Sequence, residues 1–322
     1  VPPEAKLTRA LIAFALALAS AAPAAAQTFN ERRGPLSFRD RIAPPDEPLW
    51  DNHGEMSLWT SVFVGHPDDG TLLSVSPVVR GHYDFVDDWG AHFTMPLSYV
   101  DASTPAEPGG AVLRFANVSL GGHRRFSHEA TSGVVGFDVA IPTAWVPDDV
   151  EPVEQDTMRL AFATSAATMG GMKLWSWAPE RLSFVLSGGV SHRFVESLDT
   201  FVEAAVAPMI PVGDEGTDTD LFVDARVGAA WVLPDLLRLG IAFDLAWLPT
   251  SGLFGMAPPD PVQTALEIFG RVWLDTLFLG LAFTMNLDAP AGFAFEDGGI
   301  WGLHVGVGAR FGETPQASGG AP

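Results

Sequence analysis

Three groupings of side chains in this sequence could do chemistry. Ser127 and His128 stand together and are followed by Glu129 and Ser132, the inventory of a hydroxyl nucleophile with its base. A triad is defined by geometry rather than adjacency, and this run sits among turn formers between two apolar stretches, so a turn is the stronger reading. The run GDEGTDTD, residues 213–220, alternates acidic oxygens as a Ca²⁺ loop does. It lacks that loop's Gly and terminal Glu, and solvated loop charge accounts for it better. The third grouping is dispersed: Arg80, His82, His92, Asp138, Arg193, Asp224, Arg226, Arg238, Asp244, Glu267 and Arg271 all sit inside otherwise apolar stretches, as do Glu203 and Arg310. Charges placed that way need either one another or water. No Gly-rich phosphate loop and no HExxH spacing occurs, and with no cysteine there is neither a thiolate nucleophile nor a Cys-type zinc cluster. The expectation is no metal, no cofactor and no catalytic set.

The elements that would position the dispersed charges are strands. In TLLSVSPVVRGHYDF, residues 71–85, Leu73, Val75, Pro77, Val79, Gly81, Tyr83 and Phe85 share one face, while Arg80, His82 and Asp84 share the other. The period-two pattern returns in residues 89–100, where His92 and Thr94 oppose Trp89, Phe93 and Tyr99, and again in residues 220–233 and 236–249. About twelve strands follow, near 56–66, 72–85, 89–100, 112–125, 133–145, 181–195, 200–211, 220–233, 236–249, 262–274, 277–287 and 300–311. Pairing Phe85 with Trp89 puts His82 opposite His92, and pairing Leu233 with Leu237 puts Arg226 opposite Asp244.

The chain has 322 residues, 18 Lys plus Arg against 39 Asp plus Glu, and a net charge of −21. That balance excludes nucleic acid as a partner, since phosphate backbones need a basic surface. A chain 47% hydrophobic and 18% charged is too apolar for disorder and low in charge for a soluble domain. Beyond the N-terminus no run of about 18 apolar residues occurs, so strands rather than helices would span a bilayer. Lys6 and Arg9, the apolar run Leu11 to Ala19 and the small residues Ala24 to Ala26 have the form of a secretory signal peptide ending at residue 26. Residues 27–55, with Arg32, Arg33, Arg39 and Arg41 among Pro and acids, form a periplasmic segment, either a tail or a short plug. The barrel is expected over 56–311 and a flexible tail over 312–322.

With the N-terminus in the periplasm, alternate connections are short: VDDWG, FSHEATSG, ESLDT, PDL and DT. The others are long, above all 146–180, which carries Trp175 and Trp177 among apolar residues and is expected to pack over or into the mouth. Short turns on one side and long loops on the other, with aromatics near the strand ends, fit an all-β, closed antiparallel transmembrane barrel. The packed core of a soluble sandwich would show the same alternation and remains the alternative.

The last strand, WGLHVGVGARF, sets Trp301, Leu303, Val305, Val307, Ala309 and Phe311 in one apolar stripe, which resembles the C-terminal insertion signal of outer-membrane barrels. The tail GETPQASGGAP follows it, where members of that class usually stop. FANVSLGGHRRFSHEATSGVVGFDVAIPTAW, residues 115–145, looks like the strand, turn and strand ending in a Pro-Thr pair of the outer-membrane transporters of phenol degradation (the MetA pathway), and VAPMIPVGDEG is similar to a further element of such barrels. The resemblance implies a bacterial outer-membrane protein that is a passive channel or uptake route for small molecules, hydrophobic ones among them. Its partners would be membrane lipid, the barrel-assembly machinery and the solute. A lipid-modifying enzyme similar to outer-membrane phospholipase, or a purely structural barrel, are the alternatives. For the enzyme His192 is poorly placed, near the periplasmic end of its strand.

Overall fold

Thirteen strand segments form one antiparallel sheet in which β1 pairs with both β2 and β13 while β2 also pairs with β3, so the ribbon closes on itself and leaves no long free edge. The computed structural model describes residues 53–312 apart from 67–69, 86–87, 104–109, 129, 196, 213–217, 234–235, 248–260, 275 and 289–298. The expected signal peptide, nearly all of the segment after it, Glu129, most of the acidic run and the C-terminal tail lie outside the described residues. The segments are β1 His53–Gly65, β2 Thr71–Asp84, β3 Trp89–Ser103, β4 Gly110–Phe115, β5 Val118–His128, β6 Thr131–Ile141, β7 Arg181–Val195, β8 Leu198–Pro211, β9 Asp220–Leu233, β10 Leu237–Trp247, β11 Val262–Leu274, β12 Leu277–Asn286 and β13 Trp301–Gly312. A helix, α1 Pro152–Thr168, lies between β6 and β7. Both β4 and β5 pair with β3, one with each half, so together they are one stave and the closed barrel has twelve.

Side chains alternate along each stave. Leu186, Val202, Ile241, Leu281 and Val305 are exposed on the outside, while their sequence neighbours on the inner face are buried or half-buried. At one end the connections are tight, the longest being Phe85 to Asp88, and at the other they lengthen to the excursion from Pro142 to Glu180. The registers include His82 opposite His92 and Arg226 opposite Asp244, the pairs that the short turns predict.

The stave expected over 112–125 is not continuous. Between the pairs Thr94 with Ser119 and Leu97 with Phe115, three steps along β3 are matched by four along its partner. The extra residue is a bulge at Ala116-Asn117, and both of these side chains are fully buried, so the inward face changes parity there. The next stave differs as well: the strand expected to reach 145 stops at Ile141, because Pro142 has no N–H to give the ladder. Side chains close the wall instead. The Thr143 hydroxyl accepts from the Val118 N–H at 3.0 Å and donates to the Ala116 carbonyl. Asn117 uses its whole amide: Nδ2 donates to the carbonyls of Trp175 (2.9 Å) and Ala178 (2.6 Å), and Oδ1 accepts from the Ala144 N–H at 2.9 Å.

The excursion folds inward. Helix α1 has a proline in its first turn, where no N–H is needed, and Glu154 near its positive end. It packs along β1, β2, β3, β4, β12 and β13 inside the barrel, with Met158, Ala161 and Phe162 fully buried. Ser98 donates to the Ala161 carbonyl at 2.8 Å, and Asn286 donates to that of Ala167 at 2.7 Å from the other side. The chain then reverses at Gly170 (φ +68°), where a Cβ would stand 2.7 Å from that of Ala265, so both backbone and packing require glycine. The loop thus occupies the mouth.

Asn117→Ala leaves the Ala144 N–H and the Trp175 and Ala178 carbonyls without their side-chain partner in a buried place, at about 1 to 3 kcal/mol for each unsatisfied group. Denaturant unfolding in detergent should show a loss of several kcal/mol by that arithmetic, whereas Thr157→Ala on the exposed side of α1 should change stability by less than about 0.5 kcal/mol. Equal midpoints for the two variants would contradict the clasp.

Candidate functional site

Below the loop the interior is ruled by charge held in pairs. Each stave carries alternate residues inward, so acids and bases two residues apart on neighbouring strands come within reach. Arg226 on β9 sends Nε to Asp244 Oδ1 at 2.6 Å and donates from Nη2 both to Asp244 Oδ2 and to Glu267 Oε2 on β11. Glu203 on β8 stands directly opposite Arg226 in register. The arginine and Asp244 are buried, so the guanidinium trades hydration for a fork of carboxylate oxygens, the geometry it is shaped for. Asp224, two residues from Arg226 on the same face, accepts the Lys173 N–H at 3.0 Å. That bond ties the tip of the inward loop to the charged belt.

A second polar group lies on the opposite wall. His92 on β3 pairs through Nε2 with Asp138 Oδ1 on β6, and its Nδ1 lies 3.2 Å from His123 Nδ1 on β5. His123 Nε2 pairs in turn with Asp84 Oδ1 on β2 at 2.8 Å. Arg125 and His82 approach the other oxygen of Asp84 at 3.4 and 3.6 Å. These side chains meet over glycines. Gly121 lies between His92 and Asp138 in register, and a Cβ there would be 2.5 Å from His92 Nε2 and 2.6 Å from Asp138 Oδ1. Gly90 lies between Asp84 and His123, with the same clearance of 2.5 Å to Asp84 Oδ1.

Toward the tight-turn end, Arg193 pairs with Asp199 at 2.9 Å and Arg310 with Glu55 at 3.6 Å. Arg238 and Arg271 face each other in register, and the Arg271 guanidinium stands 4.1 Å from the centroid of Phe278 and 5.8 Å from that of Trp59. His304 joins three strands: Nδ1 meets the Ser61 hydroxyl at 2.6 Å and Nε2 meets that of Thr284 at 2.9 Å.

The structure places Arg80, His82, His92, Asp138, Arg193, Asp224, Arg226, Arg238, Asp244, Glu267 and Arg271 on the inner face. It brings Asp224, Arg226, Asp244 and Glu267 together, and sets His92 and Asp138 with His82 nearby. Arg193 stands apart with Asp199, and Arg80 faces Thr94 across the strand pair. Sequence reasoning missed the roles of Asp84, His123 and Arg125; strand parity already put Asp84 on the face of His82. It also missed the inward aromatics Trp59, Phe201, Phe222 and Phe278, all buried, which make the interior far less wet than a lumen of glycine and charge. His128 is exposed while Ser132 is buried, on opposite faces of the β5–β6 hairpin, so they form no dyad. His192 faces outward beside Phe194, with ring centroids 4.8 Å apart. Among the described residues no group of three or more His, Asp or Glu is arranged to hold a metal ion.

No family model matches the chain, and no curated protein matches it. Solved structures do share its fold. The COG4313 outer membrane channel from Pseudomonas putida F1 is similar with a TM-score of 0.59 at 14% identity, over 84% of this chain and 100% of that one. The NanC porin (TM-score 0.45, 5% identity, 80% and 100% covered) and the KdgM porin (0.41, 6%, 81% and 99%) are more distant. The fold is that of an outer-membrane β-barrel.

Gly121→Ala places a methyl group against His92, Asp138 and the Phe137 carbonyl, whereas at Gly122, which faces outward, the nearest atom would be an ordinary 3.5 Å away. Thermal unfolding in detergent should lose about 1 to 3 kcal/mol for the first substitution and little for the second. A harmless Gly121→Ala would mean the pair has room that the structure denies it.

Proposed function

We propose that the chain is a bacterial outer-membrane channel, a passive route for small molecules that includes hydrophobic ones. The observation that carries this reading is the lining of the mouth. Val112, Phe162, Trp175, Trp177 and Phe222 belong to one buried apolar cluster at the loop end, standing over the belt of ion pairs around Arg226. Wide porins have polar, water-filled interiors, and a mouth of this kind does nothing for a hydrated ion. The cluster is buried beneath the loop, and a shift of the loop would open it to an apolar solute as a surface on which to shed water. Behind the cluster the wall is held by the side chains of Asn117 and Thr143 rather than by a strand ladder, so parting those few bonds would give such a solute a way toward the bilayer that avoids the charged belt.

The membrane itself is the first partner in this reading. The outside of the barrel is apolar, and exposed Phe85, Trp89, Phe194, Trp231 and Trp247 fall near strand ends as interfacial girdles do. The assembly machinery of outer-membrane barrels and a small solute complete the set of partners. The resemblance to phenol-degradation transporters falls on residues 115–145, the stretch that holds the bulge, Asn117 and the Pro142-Thr143 pair, which supports a small aromatic as solute.

Reconstitution tests both halves. In planar bilayers the protein should give small discrete conductance steps, and in proteoliposomes phenol should permeate faster than a sugar of similar size. Arg226→Ala should raise cation conductance, since Asp244 and Glu267 lose the guanidinium between them. Lipid turnover without conductance or phenol flux would replace the channel by an enzyme.

A fluorophore on a single Cys at Val305, in a chain with no other cysteine, should be quenched by lipid-borne quenchers. Recovery of the mature protein in a soluble fraction with no quenching would remove the membrane reading altogether.

A further inference from the structure

Among the described strand residues, Arg124 on β5 is the only Lys or Arg on the outer face of the barrel, where it is exposed between Gly122 and Phe126. The carboxylate that shares that face, Asp101, stands at the other end of the wall, near the loop end of β3. Arg124 lies directly opposite Trp89 in register, and its guanidinium stands over the indole, 5.6 Å from the ring centroid. A ring face answers the charge in part but leaves the N–H donors of the fork for an oxygen acceptor. Among the described residues no acid pairs with it, whereas Arg125, the next residue, turns inward to Asp84 at 3.4 Å. A cation on the lipid side of a barrel is costly unless an anion meets it there.

Trp89 is the first residue of β3 after a tight turn, so the pair sits at the level where an interfacial girdle meets headgroups. One row toward the middle of the wall, Ala91 stands opposite Gly122, flanked by Tyr83 on β2 and Phe137 on β6. Ala91 and Gly122 are both exposed, and between the two rings they leave a shallow trough that begins beside the guanidinium. Packing does not ask for a glycine at 122. A Cβ there would meet nothing nearer than the Gly90 carbonyl at 3.5 Å, an ordinary contact, and the backbone is that of a regular strand. A mid-strand glycine costs strand stability, and one that neither packing nor backbone requires marks a place where something else comes close to the main chain.

We infer that β3 and β5 form a site on the outer wall for one phospholipid with an anionic headgroup: Arg124, held over Trp89, takes the phosphate, and an acyl chain lies in the trough of Ala91 and Gly122 between Tyr83 and Phe137. A guanidinium fork matches a pair of phosphate oxygens, and the indole beneath it keeps the fork at the wall. The headgroup is anionic because a choline or ethanolamine brings its own cation to the phosphate, while a glycerol headgroup leaves the negative charge to the protein. The ligand is a lipid rather than free phosphate because the trough is apolar and runs toward mid-membrane. The site rests on the reading of the chain as an outer-membrane barrel, whose tight-turn end meets the phospholipid leaflet.

The test uses the full chain with a bimane on a single Cys at Val135, the exposed outward residue opposite Arg124 on β6, and a second protein labelled at Val305 on β13. Each is reconstituted in mixed phosphatidylglycerol and phosphatidylcholine vesicles in which one lipid or the other is brominated. The label at 135 should be quenched with about fivefold selectivity for phosphatidylglycerol, as one cation at a membrane surface provides, and the label at 305 with none. Arg124→Gln should abolish the selectivity, and Gly122→Leu, which fills the trough and leaves the guanidinium in place, should lower it. Both positions face outward, so neither change disturbs the interior. Quenching at both labels with no selectivity at 135, or selectivity that survives both substitutions, would overturn the site and leave the membrane reading standing. No quenching at either label would remove the membrane reading, and the site with it.

Discussion

An extra residue in one stave of a closed sheet has to be accommodated by something other than the sheet. Here the accommodation is Asn117. The bulge turns both Ala116 and Asn117 inward, and β6 ends just beyond, so backbone groups on both sides lose their ladder partners at the same level. One carboxamide, with two donors and an acceptor, serves two carbonyls of the returning loop and an amide of the outgoing one. Its own N–H donates to the Ser176 carbonyl at 2.8 Å. The position of the loop in the mouth, the closure of the wall and the shape of the apolar cluster all follow from that one set of bonds. An aspartate could not do it, having no donor.

A twelve-stave barrel sits between those whose interiors are filled by side chains and those that hold water. This one solves the problem by halves. The loop end is filled with α1 and the tryptophans, and the middle is filled with ions that neutralise one another. Burying ion pairs is costly in desolvation, and an apolar interior of equal volume would be at least as stable. What the pairs contribute is position: a guanidinium between two carboxylates, or an imidazole between a carboxylate and another imidazole, has few alternatives. Breaking one partner leaves a buried charge, so the belt resists rearrangement more than an apolar layer would.

The sequence was informative where physics is local. Period-two alternation identified the staves, and turns of a few residues left almost no freedom in register, which is why His82 with His92 and Arg226 with Asp244 could be paired in advance. It was silent where two distant stretches decide the outcome. Nothing in FANVS marks Asn117 as inward, since alternation counted from Val112 turns it outward; only the pairing with β3 reveals the extra residue. The inward rings of Trp59, Phe201 and Phe278 are likewise hard to read from one strand at a time, because the room for them comes from glycines on neighbouring strands over which they lie. The same count turns His123 outward with Asn117, and its partners Asp84 and His92 come from two different strands, so the bulge hid it as well.

The inward loop is gripped by its main chain as well as by its buried side chains and the Ser165 hydroxyl. Asn117 holds the carbonyls of Trp175 and Ala178, Ser98 that of Ala161, Asn286 that of Ala167, and Asp224 the N–H of Lys173. A frame that seats a segment by its peptide groups is indifferent to most of the side chains the segment carries. Volume-conserving apolar changes at the buried residues Met158, Phe162 and Trp175 can therefore reshape the insert while the loop keeps its path. The barrel is a socket with an exchangeable insert, and new solute preferences could arise in the insert without renegotiating the wall.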